Sequence, residues 1–432
     1  MLKAKNKVLF IAIVLSLLFS TQIFGTGGSE SGESYMRLAW WGNPTRDEKT
    51  LGVADLYMEK YPNVKIEPET TGWGGYWDRI NTQAAASSLP DLMQHDYAYM
   101  LQFVDRKLLT DLTPYVNSGV IDLSKINDTF LSGGKVDGGL YGISLGTNAV
   151  CMVYNTKILK EAGIGKIDSA NWTWDDFEEI ATTVYEKTGV QTDVFFATDP
   201  KVGFDNMLRQ TGASTFAKDG KSLGFTDTSV LKEFFEIQLR LLDKGVMMDP
   251  EIAFVTVSPE EGSIAQEKVW CGFYWSNQVV ATQTVVPSPL EIVLLPKIKN
   301  SSRPGTFLKP SMFFSIPSQA ENPDEAARFI NFFINNIEAN DILAAERGIP
   351  IPSDVRSHLQ GLVDETNQKI FEYISLVADN SSAIDPPDPQ GTGEVLKIFR
   401  DTTQEILNKQ ISVNDGVKKI VTKANEILGQ NK

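Results

Sequence analysis

The sequence predicts an α/β protein made of two lobes. At 432 residues the chain is too long for one hydrophobic core, so two domains are expected. From about residue 35 onwards, short apolar strands alternate with longer amphipathic helices, which is typical of α/β folds with mainly parallel sheets. Two extended runs, at 140–154 and 291–296, read as crossings between the lobes, and 335–350 contains a third candidate crossing.

The first lobe opens with alternating strands and helices. Residues 36–41 form an apolar strand, and in the next segment, 48–60, apolar side chains recur at helical spacing. The segments at 64–68, 76–86 and 91–94 then predict a strand, a helix and a third strand.

The region between the first two crossings carries its own helix signals. Thr173, followed by two acids, caps a helix that runs to about Lys187, and a second helix at 229–244 stops at Gly245. Further helices are predicted at 324–335, 353–362, 393–408 and 413–428. The Pro/Gly-rich segment 385–392 is a plain loop or a loop that lines a cleft. We assign lobe 1 to 35–143 and 292–336, and lobe 2 to 144–291 and 337–432.

The N-terminus predicts export from the cytoplasm. Lys3, Lys5 and Lys7 precede a mainly apolar run, 8–19, which is too short to span a bilayer comfortably but suits a signal-peptide core. We expect a signal peptide at 1–25, a Gly/Ser-rich linker at 26–34 and a periplasmic or extracytoplasmic protein. An uncleaved N-terminal anchor remains the alternative. No cysteine lies directly after the run, where a lipoprotein would carry its lipid.

The charge balance disfavours two classes of partner. Loss of the first 25 residues removes three lysines and no acids, so the formal net charge moves from −15 to about −18. Such an acidic chain is poorly suited to bind nucleic acid or anionic membrane, because both need Lys and Arg against phosphate. The two cysteines, Cys151 and Cys271, lie in apolar strand-like runs and could pair or stay buried as free thiols.

Enzyme motifs are weak, and we predict no catalytic, cofactor or metal residues. With only His95 and His358 in the chain, a histidine-rich metal site is excluded. Residues 142–146 match G-x-S-x-G, but the apolar stretch after them predicts a strand, whereas a nucleophile elbow needs a helix there. A glycoside hydrolase that uses two of the many carboxylates stays open.

Aromatic side chains follow three of the predicted strands at turns. Trp40 and Trp41 close the first strand, Trp73 follows the second, and Tyr274 and Trp275 follow a later one. Ligands of open α/β sheets bind beyond the carboxyl ends of the strands, where these turns fall. Flat rings at such positions suit the apolar face of a pyranose, so the sequence predicts an aromatic-lined cleft that binds carbohydrate.

Polar side chains near those turns can hold the hydroxyls of a sugar. Asp96 follows the third strand, Asn148 lies on the first crossing, and Asn277 is close to Trp275; each can bond hydroxyls. Arg46 and Lys309 can bind hydroxyls or the carboxylate of a uronate.

Four segments share the pattern of a known family: 61–69, 140–164, 173–181 and 309–333. They resemble the maltose-binding type of extracellular solute-binding proteins, which deliver sugars to ABC importers. The second has a Y-G-I opening and a Y-N-x-x-L-x-x-A-G-I close, with Ser144 where many relatives have proline.

The resemblance implies a type II periplasmic-binding-protein fold, in which two α/β lobes joined by a three-stranded hinge close on their ligand. It implies a binding protein rather than an enzyme, with an oligosaccharide ligand and the transmembrane subunits of an ABC permease as partners. We expect a monomer without a cofactor. The ten aromatic and polar residues above would line the cleft. A secreted glycoside hydrolase, and a sensing or peptide-binding module on the same fold, remain the alternatives.

Overall fold

The computed structural model describes residues 33–42, 44–197, 199–255 and 261–431, without the side chains of residues 73 and 74. The predicted signal peptide and most of the linker, residues 1–32, lie outside these ranges. Within them, no helix combines the length and apolar character needed to cross a membrane.

Strands and helices alternate up to residue 105, and among the described residues only helices follow β10. The strands are β1 Ser34–Trp41, β2 Val64–Thr71, β3 Leu92–His95, β4 Lys135–Val136, β5 Gly139–Leu140, β6 Ile143–Asn148, β7 Val150–Asn155, β8 Cys271–Trp275, β9 Leu290–Val293 and β10 Lys309–Ser315. The first eight helices are α1 Pro44–Lys60, α2 Trp73–Ala85, α3 Tyr97–Asp105, α4 Thr113–Asn117, α5 Thr156–Glu161, α6 Trp174–Thr188, α7 Pro200–Arg209 and α8 Ser229–Asp243. The later helices are α9 Pro250–Ala253, α10 Val279–Val285, α11 Pro323–Asn335, α12 Ile337–Leu343, α13 Ser353–Gln360, α14 Glu365–Asp379, α15 Thr392–Leu407 and α16 Val413–Leu428.

Helix ends follow their capping residues. The predicted cap of α6 is confirmed, because the Thr173 hydroxyl accepts from the backbone N–H of Asp176 and the Asp176 carboxylate accepts from the backbone of Thr173. The helix ends at Gly189, which has a left-handed φ of 77°. Local signals of this kind explain why the predicted helices recur with nearly the same bounds.

The first sheet has the strand order β2-β1-β3-β10-β6. β1 pairs in parallel with β2 and β3, while β10 runs antiparallel to both β3 and β6. The carboxyl ends of β1, β2, β3 and β6 therefore meet at one edge, together with the amino end of β10.

The second sheet has the order β8-β7-β9, and β7 is antiparallel to both neighbours. The prediction of mainly parallel sheets is therefore wrong for this sheet. The physical reason is the position of the crossings. The chain enters the sheet at the start of β7 and leaves it after β9 at the same edge, so β9 must run against β7.

The two sheets are connected by segments that lie side by side. Ala149 alone separates β6 of the first sheet from β7 of the second. Asn148 pairs with Lys309, and Thr147 forms an isolated bridge with Ile349 on the segment after α12. At Gly146 a Cβ atom would lie 2.3 Å from the carbonyl oxygen of Arg347, so this close approach of two backbones requires glycine.

Candidate functional site

The crossings bring one edge of each sheet together. From the first sheet come the carboxyl ends of β3 and β6 and the amino end of β10. From the second come the start of β7 and the end of β8, since Val150 pairs with Trp275. The Ser276 hydroxyl joins the edges: it accepts from the backbone N–H of Ala149 at 3.2 Å and lies 3.5 Å from Oδ1 of Asn148.

Trp275 and Lys309 form the centre of this site. Trp275 is half-buried, and its backbone N–H donates to Oε1 of Gln278 at 2.9 Å. Nζ of the exposed Lys309 lies 4.8 Å from the centroid of the Trp275 ring, a distance typical of a cation–π contact. The Phe307 ring stands edge-on to Trp275, with 6.3 Å between the centroids.

Asp96 and Asn148 place polar groups beside this pair. Asp96 caps α3, and its Oδ1 accepts from the backbone N–H of Ala98 at 2.8 Å. Burial raises the pKa of the Asp96 carboxyl, while that hydrogen bond and the positive charge of Lys309 act in the opposite direction. Four of the ten predicted site residues, Asp96, Asn148, Trp275 and Lys309, thus lie together at the facing edges.

The tryptophans of the first sheet are less accessible than predicted. Trp40 has 0% of its surface exposed, and its indole N–H donates to Oδ1 of Asp47 at 2.7 Å. It therefore belongs to the core rather than to a ligand face, because the chain turns into α1 directly after β1 and covers the ring. Trp41 retains 7% exposure and packs edge-on against Tyr76. The side chain of Trp73 lies outside the described part of the chain.

The remaining predicted residues lie around the site with different neighbours. Nε and Nη2 of Arg46 each lie 3.0 Å from Oε1 of Glu346, so this cation has a partner within the protein. Tyr274 is half-buried, and burial raises the pKa of its phenol. Asn277 is exposed in the short 3₁₀ turn that comes after Trp275.

Sequence reasoning did not select a second group of residues at the same edge. The hydroxyl of Tyr97 donates to the carbonyl oxygen of Asp385. Nη1 of the buried Arg209 lies 2.5 Å from Oδ1 of Asp385, and its guanidinium lies 4.9 Å from the centroid of the Phe307 ring. The segment 385–392 thus touches β3's end. Tyr97 could have been found, since it is an aromatic residue directly after a strand, but no local pattern joins Arg209 to Asp385.

His95 lies underneath this edge in an apolar environment. Nδ1 donates to the carbonyl oxygen of Asp96 at 2.9 Å, and the ring packs edge-on against Trp77 and Phe103. Burial lowers the pKa of His95 to about 4, because a charged imidazolium would lose its hydration there. At neutral pH this side chain is therefore uncharged.

The features that suggested other chemistry have structural roles. Ser144 lies in β6 with 1% exposure, and its hydroxyl donates to the carbonyl oxygen of Gly146 at 2.8 Å, so the predicted strand is confirmed.

Cys151 and Cys271 are both buried free thiols. In the ranges that the structure describes, no three His, Cys, Asp or Glu side chains are placed to hold a metal ion.

Residues 52–361 match the model of the bacterial extracellular solute-binding proteins. A lactose-binding protein of Rhizobium radiobacter is 26% identical over 307 residues, which are 68% of this chain and 69% of that protein. An arabinooligosaccharide-binding protein of Bacillus subtilis (strain 168) is 26% identical over 234 residues, 52% of each chain, so the match spans about half the length of that relative.

The fold has close counterparts among solved structures. An extracellular solute-binding protein of family 1 from Alicyclobacillus acidocaldarius subsp. acidocaldarius DSM 446 matches with a TM-score of 0.86 and 26% identity. The match covers 93% of this chain and 100% of that chain. These likenesses confirm the predicted family and fold class, and the chain belongs to the bacterial extracellular solute-binding proteins.

Proposed function

We propose that this protein binds a sugar or oligosaccharide between its two lobes and delivers it to the permease of an ABC importer. The observation that carries the proposal is the half-buried ring of Trp275 beside Lys309, Asn148 and Asp96 at the facing sheet edges. An apolar ring face with polar groups around it is complementary to a pyranose. Family membership supports this function, and relatives named for lactose and arabinooligosaccharide binding support the ligand class.

The proposed mechanism is binding without chemistry. The two lobes exchange between open and closed arrangements. A sugar selects the closed one, because only there do both walls touch it. Trp275, Lys309, Asp96 and Asn148 form the centre of the proposed site, and Phe307 and Tyr97 are added to it. Trp41, Trp73, Arg46, Tyr274 and Asn277 remain predicted contacts further out.

Export and the lack of catalysis belong to the same proposal. The predicted signal peptide would send the mature chain to the periplasm or the cell exterior, where a binding protein meets both its ligand and the permease. A glycoside hydrolase on this fold is the competing function, and it differs in one observable: it would release reducing ends from its substrate.

The test uses the chain from residue 26 onwards and a panel of mono-, di- and oligosaccharides, both neutral and acidic. Thermal shift finds the ligand and isothermal titration measures its affinity. We expect a rise in melting temperature and a dissociation constant of about 1 μM or tighter, equivalent to about −8 kcal/mol. Reducing-end release should be absent. If no saccharide at millimolar concentration shifts the melting temperature, or if turnover is found, the proposal is wrong.

A further inference from the structure

The basic side chains near the cleft differ in whether a carboxylate neutralises them. Arg46 is bound to Glu346, and Arg209 to Asp385. Nζ of the buried Lys201 lies 2.7 Å from Oδ2 of Asp205. Lys309 is different: no carboxylate among the described residues lies within ion-pair distance of its Nζ. Its positive charge is therefore available to a ligand.

The backbone of Lys309 is fixed even though its side chain is exposed. Lys309 begins β10 and pairs with Asn148 of β6. Its carbonyl oxygen also accepts from the Thr147 hydroxyl at 3.1 Å. The side chain can move about this anchored base, and in the structure it places its ammonium over the Trp275 ring at 4.8 Å. The cation thus covers one face of the ring, and we take this face as the one on which a sugar stacks.

A neutral and an acidic sugar would meet this cation differently. A neutral pyranose that stacks on the covered face must displace the ammonium from the ring. The only new interactions it offers the ammonium are hydrogen bonds to uncharged hydroxyls. A uronate carries its carboxylate on C5, at the edge of the ring. While its face stacks on Trp275, that carboxylate can form a charge-assisted hydrogen bond with the displaced ammonium.

We propose that Trp275 and Lys309 form one subsite that selects a uronic acid unit of the ligand. The inference rests on the proposed function and adds the charge of the sugar to it. Asp96, which also lies within electrostatic reach of Lys309, fixes the orientation. Its carboxylate repels that of the sugar and accepts hydroxyl hydrogens, so the acidic edge of the ring points to Lys309 and a hydroxyl edge to Asp96.

The experiment compares disaccharides in matched pairs that differ only in the group attached to C5 of one ring, a carboxylate or a hydroxymethyl group: galacturonate against galactose, and glucuronate against glucose. Isothermal titration with the mature protein should show that the acidic member of at least one pair binds about tenfold tighter. This preference should shrink as sodium chloride is added, because salt screens the charge pair.

Three variants separate the cation from general charge effects. K309M should abolish the preference and leave the neutral sugar bound equally or up to about threefold tighter, since a competitor for the ring has gone. K309R keeps the cation and should keep the preference. K65M removes the same charge from an exposed position on β2, away from the cleft, and should leave the preference intact.

The possible outcomes distinguish this inference from the proposed function. Equal affinities within every pair, or a preference that survives in K309M, would overturn the uronate subsite while sugar binding stands. If no member of any pair binds, both are overturned. Should K309M not fold, the wild-type protein still decides, because an acidic preference that is absent or insensitive to salt contradicts the proposal.

Discussion

The ends of β1 and β8 both carry tryptophan at a sheet edge, yet their rings have opposite environments. Trp40 has no exposed surface and binds Asp47 of α1 through its indole N–H. Trp275 is half-buried, and its ring meets the ammonium group of a lysine. The difference lies in the next element: a helix of 17 residues folds back over β1, whereas a three-residue turn comes after β8. For Trp40, the element that follows the strand thus makes the ring part of the core.

The largest effect is expected at the core ring. Replacing Trp40 by Ala should lower the free energy of unfolding by about 3–5 kcal/mol, because it leaves a cavity and removes the hydrogen bond from the indole N–H to Asp47. Urea denaturation followed by circular dichroism measures the loss. Trp40→Phe fills most of the cavity and should lose clearly less. If Trp40→Ala loses under about 1 kcal/mol, the ring is not the anchor that its burial indicates.

Acid should destabilise the protein through His95. Since burial lowers the His95 pKa to about 4, the unfolded chain binds a proton between about pH 6.5 and 4 that the folded chain does not. The contribution of the uncharged His95 to the free energy of unfolding is therefore complete above about pH 6.5. It is lost as the pH is lowered from about 6.5 to 4, by about 3 kcal/mol in total.

The control for this prediction is His95→Phe, which keeps an apolar ring next to Trp77 and Phe103. Urea denaturation of both proteins across this pH range isolates the contribution, because other titrating groups are shared. As the pH falls, the free energy of unfolding of the wild type should decrease relative to that of His95→Phe. A difference that stays constant would show that the histidine does not resist protonation.

The Trp275 ring should affect affinity instead of stability. Trp275→Ala is expected to weaken sugar binding by about 1–3 kcal/mol through loss of the stacking face, while the melting temperature changes much less than in Trp40→Ala. Isothermal titration with the ligand found in the panel measures the first effect and calorimetric melting the second. If the affinity is unchanged, Trp275 is not part of the site, and neither Trp275 nor Trp40 contacts the sugar.

The smallest effect concerns the contact between β3's end and the segment 385–392. Tyr97→Phe removes the hydroxyl that donates to the carbonyl oxygen of Asp385, and should lower the free energy of unfolding by about 0.5–1.5 kcal/mol. Tyr61→Phe is the matched control, because Tyr61 is 46% exposed in the connection between α1 and β2, and its loss should be smaller. Equal losses would argue that the Tyr97 contact contributes nothing specific.

Local features of the fold could be predicted from the sequence, and contacts between distant segments could not. The helix at 413–428 has the predicted bounds because its apolar period and its Ser412 cap are both local signals. Strand direction in the second sheet depends on where the chain enters and leaves, which no short pattern encodes. The burial of Trp40 depends on the path of α1, and the pairing of Arg209 with Asp385 joins two segments far apart in the chain.

The same distinction applies to the site. The closeness of Asp96, Asn148, Trp275 and Lys309 to one another was predictable, because each lies at or next to the end of a strand, and such ends converge in α/β proteins. The sequence does not show which of the basic side chains form an ion pair within the protein and which are left for a ligand. Glu346 neutralises Arg46 from a position 300 residues away, and the sequence offers no signal for that pairing.

Backbone pairing ties together three segments that lie between the two sheets. Thr147 exchanges two backbone hydrogen bonds with Ile349, of 3.0 and 3.3 Å, and its neighbour Asn148 pairs with Lys309. In the proposed mechanism, a slide or a twist of the lobes would break these pairings, whereas a swing about one axis would bend all three segments alike. A ligand that closes the lobes along one such axis would freeze little conformational freedom, so more of the free energy of contact would remain as affinity.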